Sequence, residues 1–435
     1  MSLGVLALVG APSAGKSTIF NRIVGERKSI VEPTPGVTRD RIYGKGVWLT
    51  KEFTVIDTGG LTSFNVPFQD LIKAQAEVAI QEADIIAFIV DGNKGLTSDD
   101  RYIAKMLRMS GKPVVLVVNK IDNIMEYGNT GEFYSLGLGD PIAVSGAHGI
   151  GIGDLLDEVV KKLPEKEVPD YGDAITFCLI GRPNVGKSSL SNRLLASERT
   201  LVSNIAGTTR DSIDTPFTRD GRNYVVIDTA GLVKRGKIFE AIDKYAALRA
   251  LASIERSEIV LLLINAEEGI IEQDKHVVGY ACDNHKAIIV VVNKWDEGKK
   301  KGLTKEEFTK EIRKQFKFLE YAPILFTSAK SGLGCQDILP KILEVHEAYN
   351  RRIPTNVLNE IIRDAQDLNP APEFNHARLK ISFANQSAVC PPTFVMFCNA
   401  PKSAHFSYTR YLENQIRAAY DFDGTPVNII YRAKK

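Results

Sequence analysis

The chain carries one phosphate-binding signature twice, each time between an apolar strand and the start of a helix. VLALV leads into Gly10, Ala11, Pro12, Ser13, Ala14, Gly15, Lys16 and Ser17, and then TIFNRIV. TFCLI leads into Gly181, Arg182, Pro183, Asn184, Val185, Gly186, Lys187 and Ser188, and then SLSNRLL. In the pattern G-x-x-x-x-G-K-[ST] the glycines let successive N–H groups and the helix N-terminus face phosphate oxygens. Lys16 and Lys187 then reach the β- and γ-phosphates, and Ser17 and Ser188 offer a hydroxyl to Mg²⁺. Strand, loop and helix in this order place the chain in the α/β class, as two tandem P-loop domains with doubly wound, mostly parallel sheets.

Later motifs select the base. Asn119, Lys120, Ile121 and Asp122 follow PVVLVV, and Asn293, Lys294, Trp295 and Asp296 follow AIIVVV. A carboxylate at a strand end accepts from the guanine N1–H and exocyclic amine, whereas adenine, an acceptor at N1, leaves it unpaired. Sites of this kind reject the wrong analogue by about 10⁴ or more. Alone, NKxD reads as a polar turn; after a phosphate loop, twice, it reads as a site for GTP and GDP. Ser145, Gly146 and Ala147, and Ser328, Ala329 and Lys330, follow short strands and are expected to offer backbone N–H groups to guanine O6.

Between these lie the metal and switch elements. Asp57, Thr58, Gly59, Gly60 and Leu61 close the run EFTVID, and Asp228, Thr229, Ala230, Gly231 and Leu232 close NYVVID. The aspartates are read as holding the Mg²⁺ shell, and Gly60 and Gly231 as giving an N–H to the γ-phosphate. Thr38 in PGVTRD and Thr209 in AGTTRD are the expected hydroxyl ligands of a switch loop ordered by Mg²⁺ and γ-phosphate. The hydrolytic set is thus Lys16, Thr38 and Gly60 in one copy, and Lys187, Thr209 and Gly231 in the other. Leu61 and Leu232 stand where many GTPases place a water-orienting Gln. Hydrolysis is therefore expected to be slow and stimulated from outside, unless another polar group replaces the Gln.

The repeat is of domain size. Gly10 to Gly181, Thr38 to Thr209 and Asp57 to Asp228 each differ by 171; Asn119 to Asn293 differs by 174 and Ser145 to Ser328 by 183. The late insertion falls in the charged segment 297–321, which reads as a solvated helical face. The boundaries place one GTPase domain over 1–164, a linker over 165–173, a second GTPase domain over 174–349 and a third domain over 350–435. In the last, two helices and three strands, the first strand over 377–385, alternate as αββαβ, and eleven Lys/Arg outnumber seven Asp/Glu. Such a surplus is either the footprint of nucleic-acid contact or a solvated surface with a basic tail.

The 435 residues are 44% hydrophobic and 25% charged with a net charge of +2, an ordinary globular balance. No apolar run approaches the ~18 residues that span a bilayer. MSLGVLALVG lacks a basic leader and reads as the first core strand. The five cysteines show no C-x-x-C spacing, Cys178 reads as a buried small hydrophobe, and the six histidines form no metal-ligand pattern. A cytoplasmic setting is expected.

With these motifs and the third domain, the chain resembles the Der family, also called EngA, bacterial tandem GTPases that act in assembly of the large ribosomal subunit. STIFNRIVGE, EPTPGVTRDR, FYSLG, VSNIAGTTRD, YAPILFTSA, TNVLNE, HFSYTRYLENQIR and FDGTPV carry the likeness along the whole chain. The resemblance implies a KH-like last domain, here without the G-x-x-G loop that clamps nucleotides in KH domains. It implies the large (50S) subunit as partner, no membrane, and a monomer. It also implies a K⁺ ion held partly by an Asn in the phosphate loop, which is Asn184 in copy two and Ser13 in copy one. A GTP-regulated RNA-modification factor and a membrane-remodelling GTPase are the competing classes. Against the first stands the lack of a catalytic Cys loop or metal cluster in the sequence, and against the second the lack of amphipathic basic extensions.

Overall fold

The computed structural model describes residues 2–25, 43–61, 76–77, 79–81, 83–166, 171–196, 214–227 and 253–433. Thr38, Thr209, Asp228, Thr229, Ala230, Gly231 and Leu232 lie outside the described residues. The described chain divides into two compact units, one ending at 166 and one beginning at 171.

The first unit is built on β1 (Ser2–Val9), β2 (Tyr43–Trp48), β3 (Lys51–Asp57), β4 (Ile85–Asp91), β5 (Val114–Asn119), β6 (Ile142–Ala143) and β7 (Glu165–Lys166). They form one sheet in the order β2-β3-β1-β4-β5-β6, with β7 pairing β1. β3, β1, β4, β5 and β6 run parallel, while β2 is an antiparallel edge. IIAFIVD of β4 is buried at every position, as a strand covered on both faces must be. Among the described helices are α1 (Lys16–Val24), α2 (Ser98–Ser110) and α3 (Ile152–Lys162). They bury Ile19, Phe20 and Ile23, Ile103 and Leu107, and Leu155 and Val159 respectively. The order places the end of β1 where neighbouring strands diverge, the usual ligand crevice of such sheets.

The second unit repeats this plan. β8 (Ile175–Ile180), β9 (Thr215–Arg219), β10 (Arg222–Val226), β11 (Ile259–Asn265), β12 (Ala287–Asn293) and β13 (Ile324–Phe326) lie in the order β13-β12-β11-β8-β10-β9, again with one antiparallel edge. Cys178 is wholly buried in β8, as read from the sequence. The described helices here are α4 (Lys187–Ala196), α5 (Glu272–Asp283), α6 (Trp295–Lys300), α7 (Lys305–Gln315) and α8 (Ile338–Tyr349). The charged insertion is helical as expected, α6 and α7, but α7 buries Phe308 and Ile312 on one side.

The C-terminal part of this unit is α9 (Thr355–Leu368), a hairpin β14 (Glu373–Phe374) and β15 (Ala377–Arg378), β16 (Ile381–Ala388), β17 (Thr393–Cys398), α10 (Phe406–Ala419) and β18 (Asn428–Ala433). β16, β17 and β18 form the anticipated three-stranded sheet. Leu358, Ile362, Leu412 and Ile416 join Phe394 and Met396 in its core. One expected strand over 377–385 is split, because Asn375 and His376 both hold positive φ, 50° and 59°, and fold 377–378 back on 373–374.

Backbone hydrogen bonds join the loop before β18 to the second GTPase sheet. Ile288 N–H donates to Gly424 O at 2.8 Å, and Gly424 N–H donates to Tyr321 O at 2.7 Å. The chain between the two sheets is held as well: Gln386 Oε1 accepts from Ile353 N–H at 2.7 Å, and its Nε2 donates to Arg351 O at 2.8 Å.

Candidate functional site: two nucleotide crevices

Both phosphate loops leave a buried strand and enter a helix whose first residue is the motif lysine. Gly15 and Gly186 sit at φ 92° and 99°, and a β-carbon on either would lie 2.2 Å from the side-chain nitrogen of Asn119 or Asn293. Only glycine fits there. At the third variable position Ser13 and Asn184 adopt nearly the same left-handed conformation, φ 68° and 65°. Lys16 Nζ donates to Gly10 O at 2.8 Å and Ala11 O at 3.0 Å; Lys187 Nζ donates to Gly181 O and Arg182 O, both at 2.7 Å. Burial lowers the Lys16 pKa, with Asp57 opposing. Its ammonium is thereby short of counter-charge, a demand that an anionic phosphate meets.

The metal donors converge in copy one. Ser17 Oγ donates to Asp57 Oδ2 at 2.5 Å, and Asp57 Oδ1 accepts from Gly59 N–H at 2.8 Å. One hydroxyl beside one carboxylate fits Mg²⁺, which is commonly bound by one or two carboxylates with substrate phosphates completing the shell. Thr58 turns away from it, its hydroxyl donating to Leu8 O at 2.7 Å. Gly60 and Leu61 close the following single helical turn, 58–61. In copy two Ser188 is in place on α4, and its partner Asp228 lies outside the described residues.

The motif asparagines join the two halves of each crevice. Asn119 donates to Ala14 O at 2.8 Å and accepts from Gly146 N–H at 2.9 Å; Asn293 donates to Val185 O at 2.7 Å and accepts from Ala329 N–H at 2.9 Å. Ser145 Oγ donates to Asp122 Oδ1 at 2.6 Å. The same bond from Ser328 holds the Asp296 carboxyl below its usual range. The side chains of Ile121 and Trp295 are buried; Trp295 meets Phe308 edge to face and Phe326 at a tilt.

Four of the six amides expected to serve guanine O6 are engaged within the protein. Ser145 N–H donates to Ile150 O and Ser328 N–H to Leu333 O, each at 2.9 Å, while the Gly146 and Ala329 N–H groups serve the asparagines. These four amides thus shape their loops.

The sequence reading missed several other residues. One is a role for the Arg182 side chain, which braces the protein. Nε lies 3.1 Å from both oxygens of Asp274, Nη1 2.7 Å from Glu268 Oε2, and Nη2 2.8 Å from Gly269 O. Lys120 pairs with Asp91 at 2.7 Å, whereas in copy two the corresponding strand-end residue is Asn265, which donates to Glu268. Arg22 on α1 and Arg193 on α4 reach the fifth motif loops. The repeat N-R at the 171 offset was the signal that could have found them.

Two sheets of one plan, each with a phosphate loop tied by an asparagine to a base loop, define a tandem P-loop GTPase. A model described as a 50S ribosome-binding GTPase matches residues 5–120 and 176–294, and one described as the KH-domain-like C-terminal part of EngA bacterial GTPases matches 352–432. The chain is 56% identical over 431 residues to GTPase Der of Bacillus cytotoxicus and, equally, to that of Bacillus thuringiensis, covering 99% of both chains in each case. A solved structure of Aquifex aeolicus Era is 24% identical, over 59% of this chain and 89% of its own, with a TM-score of 0.32. The chain belongs to the Der (EngA) family of GTPases, and it hydrolyses GTP. Among the described residues no helix is long and apolar enough to cross a membrane.

Proposed function

We propose that this GTPase acts in the cytoplasm, as a monomer, in maturation of the large (50S) ribosomal subunit. The observation that carries the reading is the duplicated asparagine bridge, Ala14 to Gly146 and Val185 to Ala329, which ties a phosphate loop to a base loop twice in a chain whose family model is described as binding that subunit. In each crevice Lys16 or Lys187 faces the β/γ-phosphates, Ser17 or Ser188 with Asp57 or Asp228 and Thr38 or Thr209 holds Mg²⁺, and Gly60 or Gly231 meets the γ-phosphate. Asp122 and Asp296 read the guanine edge. Mg²⁺ supplies charge neutralisation when bound, and K⁺ adds to it in copy two through Asn184.

GTP at both sites favours the subunit-binding conformation, because a ligand shifts conformations only through differential affinity. Cosedimentation through sucrose tests this. The chain should pellet with large subunits in a GTP analogue and less in GDP. Equal pelleting in the two nucleotides removes the switch, and association with tRNA instead of subunits favours RNA modification.

A further inference from the structure

In both copies, all but one N–H of the five-residue fifth-motif loop is used inside the protein. In 145–149, Ser145 and Gly146 are engaged as described, His148 N–H donates to Ser145 Oγ at 3.2 Å and Gly149 N–H to Ser145 O at 2.7 Å. In 328–332, Ser331 N–H donates to Ser328 Oγ at 3.2 Å and Gly332 N–H to Ser328 O at 2.8 Å. Among the described residues the Ala147 and Lys330 N–H groups are left over. These two amides share their peptide units with Gly146 O and Ala329 O.

Those two carbonyls are the ones an arginine holds. Arg22 Nε lies 3.3 Å from Gly146 O and Nη2 2.5 Å from Ala147 O; Arg193 Nε lies 2.7 Å from Ala329 O and Nη2 3.0 Å from Lys330 O. A guanidinium presents its donors in one rigid plane, so bonds to two successive carbonyls fix the tilt of the peptide between them. Both arginines project from the helix that begins at the motif lysine. The same arrangement recurs in two copies whose loops share little sequence, GAHG against AKSG.

We infer that Arg22 and Arg193 are positioning residues for base selection, each latching one peptide unit so that the N–H of Ala147 or Lys330 points at the guanine 6-oxygen. The inference rests on the reading of these loops as base-recognition elements. It narrows the O6 donor to the third residue of each triplet named from sequence. It also makes the helix behind the phosphate loop part of guanine specificity.

The test uses the full chain with Lys16→Ala, so that copy two dominates, and compares three diphosphates by calorimetry. GDP carries both guanine features. Inosine diphosphate lacks only the 2-amino group, and 6-thioguanosine diphosphate replaces only the 6-oxygen by a weaker acceptor. Arg193→Ala should reduce the preference for GDP over the 6-thio analogue about fivefold, the equivalent of one hydrogen bond of about 1 kcal/mol, while the preference for GDP over inosine diphosphate stays unchanged. Arg193→Lys, a point donor without the fork, keeps the charge and should show a smaller loss of the first preference; it carries the test if the alanine variant fails to fold. Arg22→Ala with Lys187→Ala should repeat the result in copy one. A parallel loss of affinity for all three nucleotides would mean a merely structural arginine, and no change would equally end the proposal. If the parent protein does not distinguish GDP from the 6-thio analogue, the base-loop reading itself fails first.

Discussion

Arg182 donates its Nε to both carboxylate oxygens of Asp274 and so ties the second phosphate loop to the first turn of α5. Copy one has Ala11 and Asp100 in the corresponding places. There Asp100 Oδ2 accepts from Thr97, but Oδ1 is buried without a partner among the described residues. Removing one partner of a buried pair leaves an uncompensated charge, so Arg182→Ala should cost the second unit about 3 kcal/mol in urea unfolding. The reciprocal change, Ala11→Arg, should stabilise the first unit by about 1 kcal/mol by satisfying Asp100. Burial raises the Asp100 carboxyl above its ordinary 3.8, with Thr97 opposing. The folded chain then holds the proton more tightly than the unfolded one, so stability is fullest below 3.8 and falls as pH rises through the raised value. Ala11→Arg should flatten that slope; an unchanged slope would show that the new guanidinium does not reach Asp100.

Exchange of a carboxylate for an amide should change the base each crevice accepts. Asp296→Asn in a Lys16→Ala background is expected to weaken GTP and favour xanthine nucleotides, because the amide reverses one donor–acceptor relation. Competition binding measures the switch, and undiminished GTP affinity would count against Asp296 as the base-reading group. Trp48→Phe leaves Trp295 as the single indole, and its fluorescence should then report nucleotide in copy two.

Potassium should separate the copies. Ser13 and Asn184 share a backbone conformation, so only the side chain differs, and the amide oxygen of Asn184 adds a cation ligand beside the phosphates. GTP hydrolysis by copy two should rise when Na⁺ is replaced by K⁺ at constant ionic strength and lose that response in Asn184→Ala. Copy one should respond less and gain from Ser13→Asn. Equal stimulation of both copies would assign the ion to backbone ligands.

Gly424 offers a test of the junction inside the second unit. It holds φ 67°, and a β-carbon there would lie 2.5 Å from Val345 Cγ2. Gly424→Ala is expected to cost about 1–3 kcal/mol, from backbone strain and overpacking together. Chemical unfolding of the full chain reads it directly, and a change below about 0.5 kcal/mol would show that the loop relaxes freely.

The motifs were legible because each is local: a strand end, a turn and a helix start within a dozen residues decide what the backbone can present. Asn119 was readable as part of a tetrapeptide, but its bonds to Ala14 and Gly146 join segments 105 and 27 residues away. The reach of Arg22 to Gly146 spans 124 residues, and its one mark in the sequence is the N-R repeat at the 171 offset. The Arg182 brace was illegible for the same reason, since only the fold brings Asp274 to it. The three-stranded sheet at the C-terminus was recovered from alternation and length. Its small hairpin was not, because Asn375-His376 is an uncommon pair for two consecutive positive-φ residues.

The backbone clasp at Gly424 touches the segments on which the base-reading strands begin: Ile288 lies at the start of β12, which ends in Asn293, and Tyr321 precedes β13, which ends just before Ser328. A protease given this half of the molecule finds no slack tether at 350–354, where Ile353 is buried and its amide bonded. Excision of the last 80-odd residues would therefore strip hydrogen-bond partners from the sheet that carries guanine recognition, and calorimetry of the full chain is expected to show that sheet and the C-terminal one melting together.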